Sequence, residues 1–81
     1  MKMRILVANR GEIAVRIMRA AAELGVHTVA VFSEDDVNSL HIRKANEAHP
    51  LSGKGVTAYL DVEQILAVAK DKHCDSIHPG Y

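Results

Sequence analysis

A chain of 81 residues holds one domain, and one this short buries only a little over ~60% of its unfolded surface, so its stability is modest. Ten lysines and arginines balance ten aspartates and glutamates, which leaves no net field to draw the chain to nucleic acid or to an anionic membrane. Apolar residues make up 48% of the chain, as in an ordinary globular domain, yet no run approaches a bilayer span.

The start, MKMRILVANR, lacks a signal-peptide cleavage region. A single cysteine, Cys74, excludes an internal disulfide. It points to a reducing compartment, read here as the cytoplasm, with a mitochondrial home left open for a parent protein.

Ile5-Leu6-Val7-Ala8 is a continuous apolar run, the pattern of a strand buried on both faces of a parallel sheet. Asn9-Arg10-Gly11 interrupts it and a helical pattern follows. Ile13, Ile17, Ala20, Ala21 and Leu24 are expected to form its apolar stripe, with Glu12, Arg16, Arg19 and Glu23 opposite and Gly25 as the C-terminal stop. A second buried strand, Thr28 to Phe32, follows directly, so the unit is a right-handed βαβ crossover.

Strand, glycine and helix in that order raise the question of a dinucleotide. The fingerprint needs three glycines, and this corner has only Gly11 between Arg10 and Glu12. Glu12 suits the positive end of the helix dipole and would repel a phosphate. The corner therefore reads as a tight turn. The acidic loop Ser33-Glu34-Asp35-Asp36 loses its ribose-binding role with it, and its carboxylates are expected to serve turns and helix caps.

Asn38 to Lys44 reads as a short helix with Leu40 and Ala45 inward and Arg43 and Lys44 in water. Glu47 to Leu51 reads as an edge strand, the one place where Pro50 is tolerated. Ser52-Gly53-Lys54-Gly55 is a loop without P-loop spacing. From Asp61 to about Lys72 a helix is expected, with Asp61 capping, Gln64 closing a capping-box-like arrangement and Val62, Ile65, Leu66 and Ala69 inward. Ser76-Ile77-His78 is a last strand and Pro79-Gly80 turns the chain out of it.

His73, Cys74, Asp75 and His78 lack a second ligand pair at zinc spacing, so no metal is expected. No nucleophile stands with its base and no carboxylate pair has hydrolase spacing, so no catalytic residue is assigned in this chain. The order β-α-β-α-β-α-β predicts an α/β fold: a Rossmann-like, doubly wound, open parallel sheet of strand order 3-2-1-4. The sequence stops at Tyr81, straight after a predicted strand, and residues 1–81 are therefore expected to be a piece of a longer chain, truncated after the fourth strand. In such a sheet ligands gather beyond the carboxyl ends of the strands at the switch point. Asn9, Arg10 and Gly11 should then lie beside His78, Pro79, Gly80 and Tyr81.

Two motifs, ANRGEIA from Ala8 to Ala14 and IHPGY from Ile77 to Tyr81, carry a resemblance. With Leu40-His41, Ala45 to Ala48 and Tyr59-Leu60 falling in order between them, the whole chain resembles the amino-terminal domain of the biotin carboxylase family. That family serves the biotin-dependent carboxylases of acyl-CoAs, pyruvate and urea. The resemblance implies the domain that precedes an ATP-grasp module. It implies a full-length enzyme, an ATP-dependent ligase, that carboxylates biotin on a carrier protein or domain with bicarbonate and MgATP and passes the carboxyl group to a carboxyltransferase.

By the same resemblance Tyr81, with Gly80, lines the biotin pocket, His78 is scaffold, and Arg16, Arg19 and Glu23 lie in the interface of a homodimer. The catalytic residues lie beyond this chain, and the fragment alone is expected to be inactive and to bind neither biotin nor MgATP. The alternative is a free-standing small α/β module that acts by binding or interaction.

Overall fold

The computed structural model describes residues 3–79, so Gly80 and Tyr81 lie outside the described residues. Four strands, β1 (Arg4–Val7), β2 (His27–Phe32), β3 (Glu47–Pro50) and β4 (Ser76–His78), alternate with helices α1 (Gly11–Glu23), α2 (Leu40–Lys44), α3 (Val56–Tyr59) and α4 (Val62–Asp71). Every pairing is parallel and the order is β3-β2-β1-β4, as the sequence predicts. A 3-10 turn at Glu34–Asp36 and the short α3 are additions to the expected elements.

Alternation along the strands divides the core in two. Leu6, Ala8 and Val31 face Tyr59 of α3 and Ile65, Val68 and Ala69 of α4. Val7 and Ala30 face Ala14 and Met18 of α1, with Ala45 packed alongside as expected. Helices thus cover both faces, the condition under which a parallel sheet is stable.

Three expected apolar stripes are corrected. On α1 the buried residues are Ala14, Val15, Met18 and Ala21, while Ile13 is 56% and Leu24 79% exposed. Ala20 is exposed too, and Ile17 is only half-buried. Small Ala14 and Ala21 let the helix approach the sheet closely and Met18 fills the space between them, so the helix is rotated about one position from the stripe drawn through its largest side chains. On α2, Leu40 is exposed and His41 turns inward, its Nε2 3.1 Å from the carbonyl of Val31. On α4, Ile65, Val68 and Ala69 are buried, whereas Val62 and Leu66 are exposed.

The edge assignment of β3 holds. Pro50 is the last residue of that strand, opposite Phe32, and the next amide, Leu51, resumes the bonding with the Phe32 carbonyl at 2.7 Å. At the amino end of the sheet, Glu47 of β3 accepts from Arg4 of β1 at 2.6 Å and lies 2.6 Å from Nε2 of His27 of β2. Arg4, and then His27, hold the Glu47 carboxyl below its ordinary range.

The two longer helices stop in the same way. Gly25, at φ +72, follows α1; its amide bonds to Ala22 and the Val26 amide to Ala21. This is a Schellman stop, which wants a left-handed residue. His73 fills the corresponding place after α4 at φ +56, with amide bonds from His73 to Lys70 and from Cys74 to Ala69. A residue with a Cβ is strained there by roughly 1–2 kcal/mol. His73→Gly is therefore expected to stabilise the chain by roughly 0.5–1 kcal/mol despite the added freedom of its unfolded state. Urea unfolding checks this, and an unchanged or lowered midpoint would contradict it.

Candidate functional site at the carboxyl edge of the sheet

The strands β2 and β3 lie to one side of β1 and β4 to the other, so the switch point falls between β1 and β4. Val7 pairs with His78, and the Ala8 amide donates to the His78 carbonyl at 3.0 Å. Beyond that rung, Nδ1 of His78 lies 3.2 Å from Oδ1 of Asn9 and 3.3 Å from the Pro79 carbonyl. Because the Pro79 carbonyl can only accept, these contacts fit an imidazole protonated at Nδ1. The structure thus brings Asn9, Arg10 and Gly11 beside His78 and Pro79. Gly11 begins the helix at φ +64, the left-handed value that lets the chain turn at once from strand into helix.

Arg10 holds this corner in place. Its Nε and Nη2 donate to Oδ2 and Oδ1 of Asp36 at 2.7 and 2.8 Å. Asp36 is buried, and its carboxylate also accepts from the Tyr59 hydroxyl at 2.6 Å; the Ser33 hydroxyl lies 3.2 Å away and has its nearer acceptor in Oδ1 of Asp35 at 2.5 Å. The Ser33 amide in turn donates to the Tyr59 oxygen at 3.1 Å. The Arg10 hydrogen bonds, helped by Tyr59, hold the Asp36 carboxyl well below the usual carboxylate range against the opposing effect of its burial. The same pairing raises Arg10. Burial, and then the bond to Asp36, pushes the Tyr59 hydroxyl up. Asp36 is thus a buried ion-pair partner, which corrects its expected role in a turn or cap.

Its two acidic neighbours have local work. The Gly53 amide donates to Oε2 of Glu34 at 2.8 Å and the Gly55 amide to Oδ1 of Asp35 at 3.1 Å. The glycine loop therefore spends amides on carboxylates of its own chain. Neither it nor the Glu12-bearing corner offers a free phosphate cradle.

Among the described residues, no three His, Cys, Asp or Glu side chains gather so as to hold a metal ion. Cys74 is half-buried beside the core and burial pushes its thiol up.

A second surface lies where α1 meets α2. Arg16 bonds to Glu12 at 2.7 Å across one helical turn, with both side chains exposed. Arg19 and Glu23 are exposed on the same helix. A groove of about 560 Å3 runs between Val15, Arg16 and Arg19 on one side and Leu40 and His41 on the other. Of its lining, Leu40 is a large apolar side chain 55% exposed. Apolar side chains rimmed by charge are the composition of a protein interface.

Sequence reasoning found the corner and the β4 exit but missed Asp36 and Tyr59. The available signal was an aspartate at the carboxyl end of β2 in a fold whose β1 exit carries an arginine. Parallel neighbours bring those two exits together.

Both the sheet and this edge belong to a known class. The model of the family described as biotin carboxylase, N-terminal domain, matches residues 1–81. The chain belongs to that family. Mitochondrial pyruvate carboxylase of Homo sapiens is 51% identical over 81 residues, covering 96% of this chain and 7% of that one. Biotin carboxylase of Halalkalibacterium halodurans is 55% identical over 80 residues, covering 96% of this chain and 18% of that one. Among solved structures, the biotin carboxylase domain of a single-chain bacterial carboxylase superposes with a TM-score of 0.94 at 52% identity, over 99% of this chain and 19% of that one. A single-chain, multi-domain long-chain acyl-CoA carboxylase gives 0.95 at 54% identity, over 100% of this chain and 8% of that one. The chain thus spans a small part of each relative.

The Asp36 pair makes a pH-dependent contribution with a definite sign. A lowered carboxyl pKa in the fold stabilises above the unfolded value, near ~4, and that stability is lost as pH falls through it toward the folded value. At pH 7, Asp36→Asn is expected to cost about 2–3 kcal/mol, below the ~3–5 kcal/mol for breaking a fully buried pair because water still reaches Arg10. The difference from wild type should narrow steadily between about pH 5 and pH 2. Urea unfolding across that range is the check, and a difference that stayed constant would contradict the assignment.

Proposed function

We propose that this chain is the amino-terminal part of a biotin carboxylase, an ATP-dependent ligase that carboxylates carrier-bound biotin with bicarbonate and MgATP. Its place in the enzyme is beside an ATP-grasp module of the same chain. The partners are a biotin carrier protein or domain, a carboxyltransferase and a second copy of the same subunit. We place the enzyme in the cytoplasm, with a mitochondrial home left open, from the single cysteine of these 81 residues. The observation that carries the reading is the β1–β4 switch point, where the two motifs of the resemblance, ANRGEIA and IHPGY, leave the sheet side by side. Ligands of open α/β sheets collect at that place.

The residues of this chain do not fit MgATP. The amides of Gly53 and Gly55 are taken, Glu12 opens α1, and no metal-binding carboxylates gather among the described residues. Nucleotide and bicarbonate chemistry are therefore assigned to the rest of the enzyme. What this chain supplies by its resemblance to the family is one wall of the biotin pocket, to which Tyr81 and Gly80 belong, with His78, fixed against Asn9, as scaffold.

In the full-length enzyme, Tyr81→Ala is expected to raise the KM for biotin about tenfold, as loss of one aromatic packing contact does. The KM for MgATP should stay put. Unchanged biotin kinetics would remove the pocket from this edge.

The α1–α2 groove is assigned to the homodimer. Exposed Arg19 lines it, so Arg19→Glu puts a carboxylate where a cation stood, and like charges across an interface cost several kcal/mol. Sedimentation of the full-length variant should show a shift toward monomer, and an unaltered dimer would place the interface elsewhere.

A further inference from the structure

β4 ends the sheet on one side, and its cover is incomplete. It is the last strand in the order β3-β2-β1-β4 and pairs with β1 alone among the described residues. Ser76 and His78 are exposed and Ile77 is half-buried, whereas Val29, Ala30 and Val31 of β2 are fully buried. Strands of a parallel sheet want cover on both faces, and a bare edge is a template for another strand. At the opposite edge β3 carries Pro50, which removes a ladder donor; β4 has no proline within it.

Beside β4 lies the groove of the α3–α4 face, about 250 Å3 in volume. Leu60, Val62 and Leu66 line it from α4 and the turn before it, and they are 52%, 66% and 54% exposed. Ile77 and Pro79 line it from β4 and its exit. Its lining offers one polar side-chain group, the Tyr59 hydroxyl, and that is spent on Asp36. The groove therefore accepts apolar side chains and nothing that needs a hydrogen bond.

The direction of each crossover decides which face its helix takes. From β1 the chain steps outward to β2, and α1 packs on the face of Val7 and Ala30. From β3 it returns past β1 to β4, and α3 and α4 pack on the other face, against Leu6, Ala8 and Val31. Opposite directions with opposite faces are what right-handed connections give. A chain that leaves β4 and adds a parallel strand at its open edge keeps the second direction. Its helix then falls on the α3–α4 face, where the groove lies.

We propose that this groove seats the next crossover of the enzyme. An amphipathic helix that follows β4 packs its apolar stripe on Leu60, Val62 and Leu66 and brings a fifth parallel strand to the outer edge of β4. A parallel connection needs a dozen or more residues and is usually helical, and a helix satisfies its own backbone in an apolar groove. The inference rests on the reading that this chain is part of a longer enzyme, of which the relatives' greater length is the sign. It does not depend on what that enzyme binds.

The test uses the full-length enzyme. A photo-reactive benzophenone amino acid replaces Val62, at the rim of the groove, and the cross-linked peptide is located by mass spectrometry. It is expected within the roughly 30 residues after β4, the length of one βαβ unit. A cross-link to a later part of the chain or to a second copy would overturn the proposal. So would the absence of any cross-link.

Leu66→Ser is the second measurement, and it needs no bulky probe. At a site covered by a helix it should lower the melting temperature by about 5 °C or more. A shift under about 1 °C is what an open surface gives, and it would overturn the proposal. If the full-length protein gives both expected results yet carboxylates no biotin, the reading of its function falls and this inference stands.

Discussion

The two-bond contact between Arg10 and Asp36 is the constraint on which the carboxyl edge of this domain depends. Two features make it more than a surface pair. One partner is 8% exposed in its side chain and the other 45%, so the carboxylate is desolvated while the guanidinium keeps water on one side. A charge buried in this way is tolerated only when it is paired and hydrogen-bonded, and the Tyr59 hydroxyl adds to the two bonds from Arg10. The pair also joins consecutive crossovers, because Arg10 precedes α1 and Asp36 precedes α2. Removing it would free the head of the first helix and the loop to the second together.

A parallel sheet gives its two ends different chemistry, and this domain uses each end differently. At the amino end Arg4, His27 and Glu47 clamp the starts of three strands with half-exposed charges. Water reaches that cluster, so it contributes register more than energy. At the carboxyl end the carboxylate lies deeper, and its hydrogen bonds come from Arg10 and Tyr59. Burial with shared hydrogen bonds fixes the geometry there.

Much of the architecture was legible in the sequence. Unalternating runs at residues 5–8 and 28–32 mark strands covered on both faces, and the crossover rule then fixes the parallel order. Pro50 marked an edge because a proline removes a ladder donor. Helix faces were less legible. The stripe through Ile13, Ile17 and Leu24 used the largest side chains, but α1 packs through Ala14, Met18 and Ala21, where small residues permit close approach. In α2 the inward residue is polar, because His41 finds the Val31 carbonyl, and apolar periodicity carries no signal for that. The Arg10–Asp36–Tyr59 network spans separations of 26 and 23 residues. No local pattern encodes contacts at that range; they follow only once strand order puts the exits of β1 and β2 together.

The exposed apolar residues that remain follow from the same division of labour. On α4, Val62 and Leu66 stand with Leu60, Ile77 and Pro79 around a groove of about 250 Å3. On α1 and α2, Val15 and exposed Leu40 line a groove with Arg16 and Arg19. The first group lies on the α3–α4 face next to the edge strand β4, the second on the opposite face of the sheet. A domain of this size cannot bury all its apolar surface within one core. Here part of the surplus lines two grooves on opposite faces, and patches of that kind mark contact surfaces. The edge between them is held by hydrogen bonds instead, so its geometry does not depend on what covers either face. That independence keeps one edge fixed whatever packs against either face.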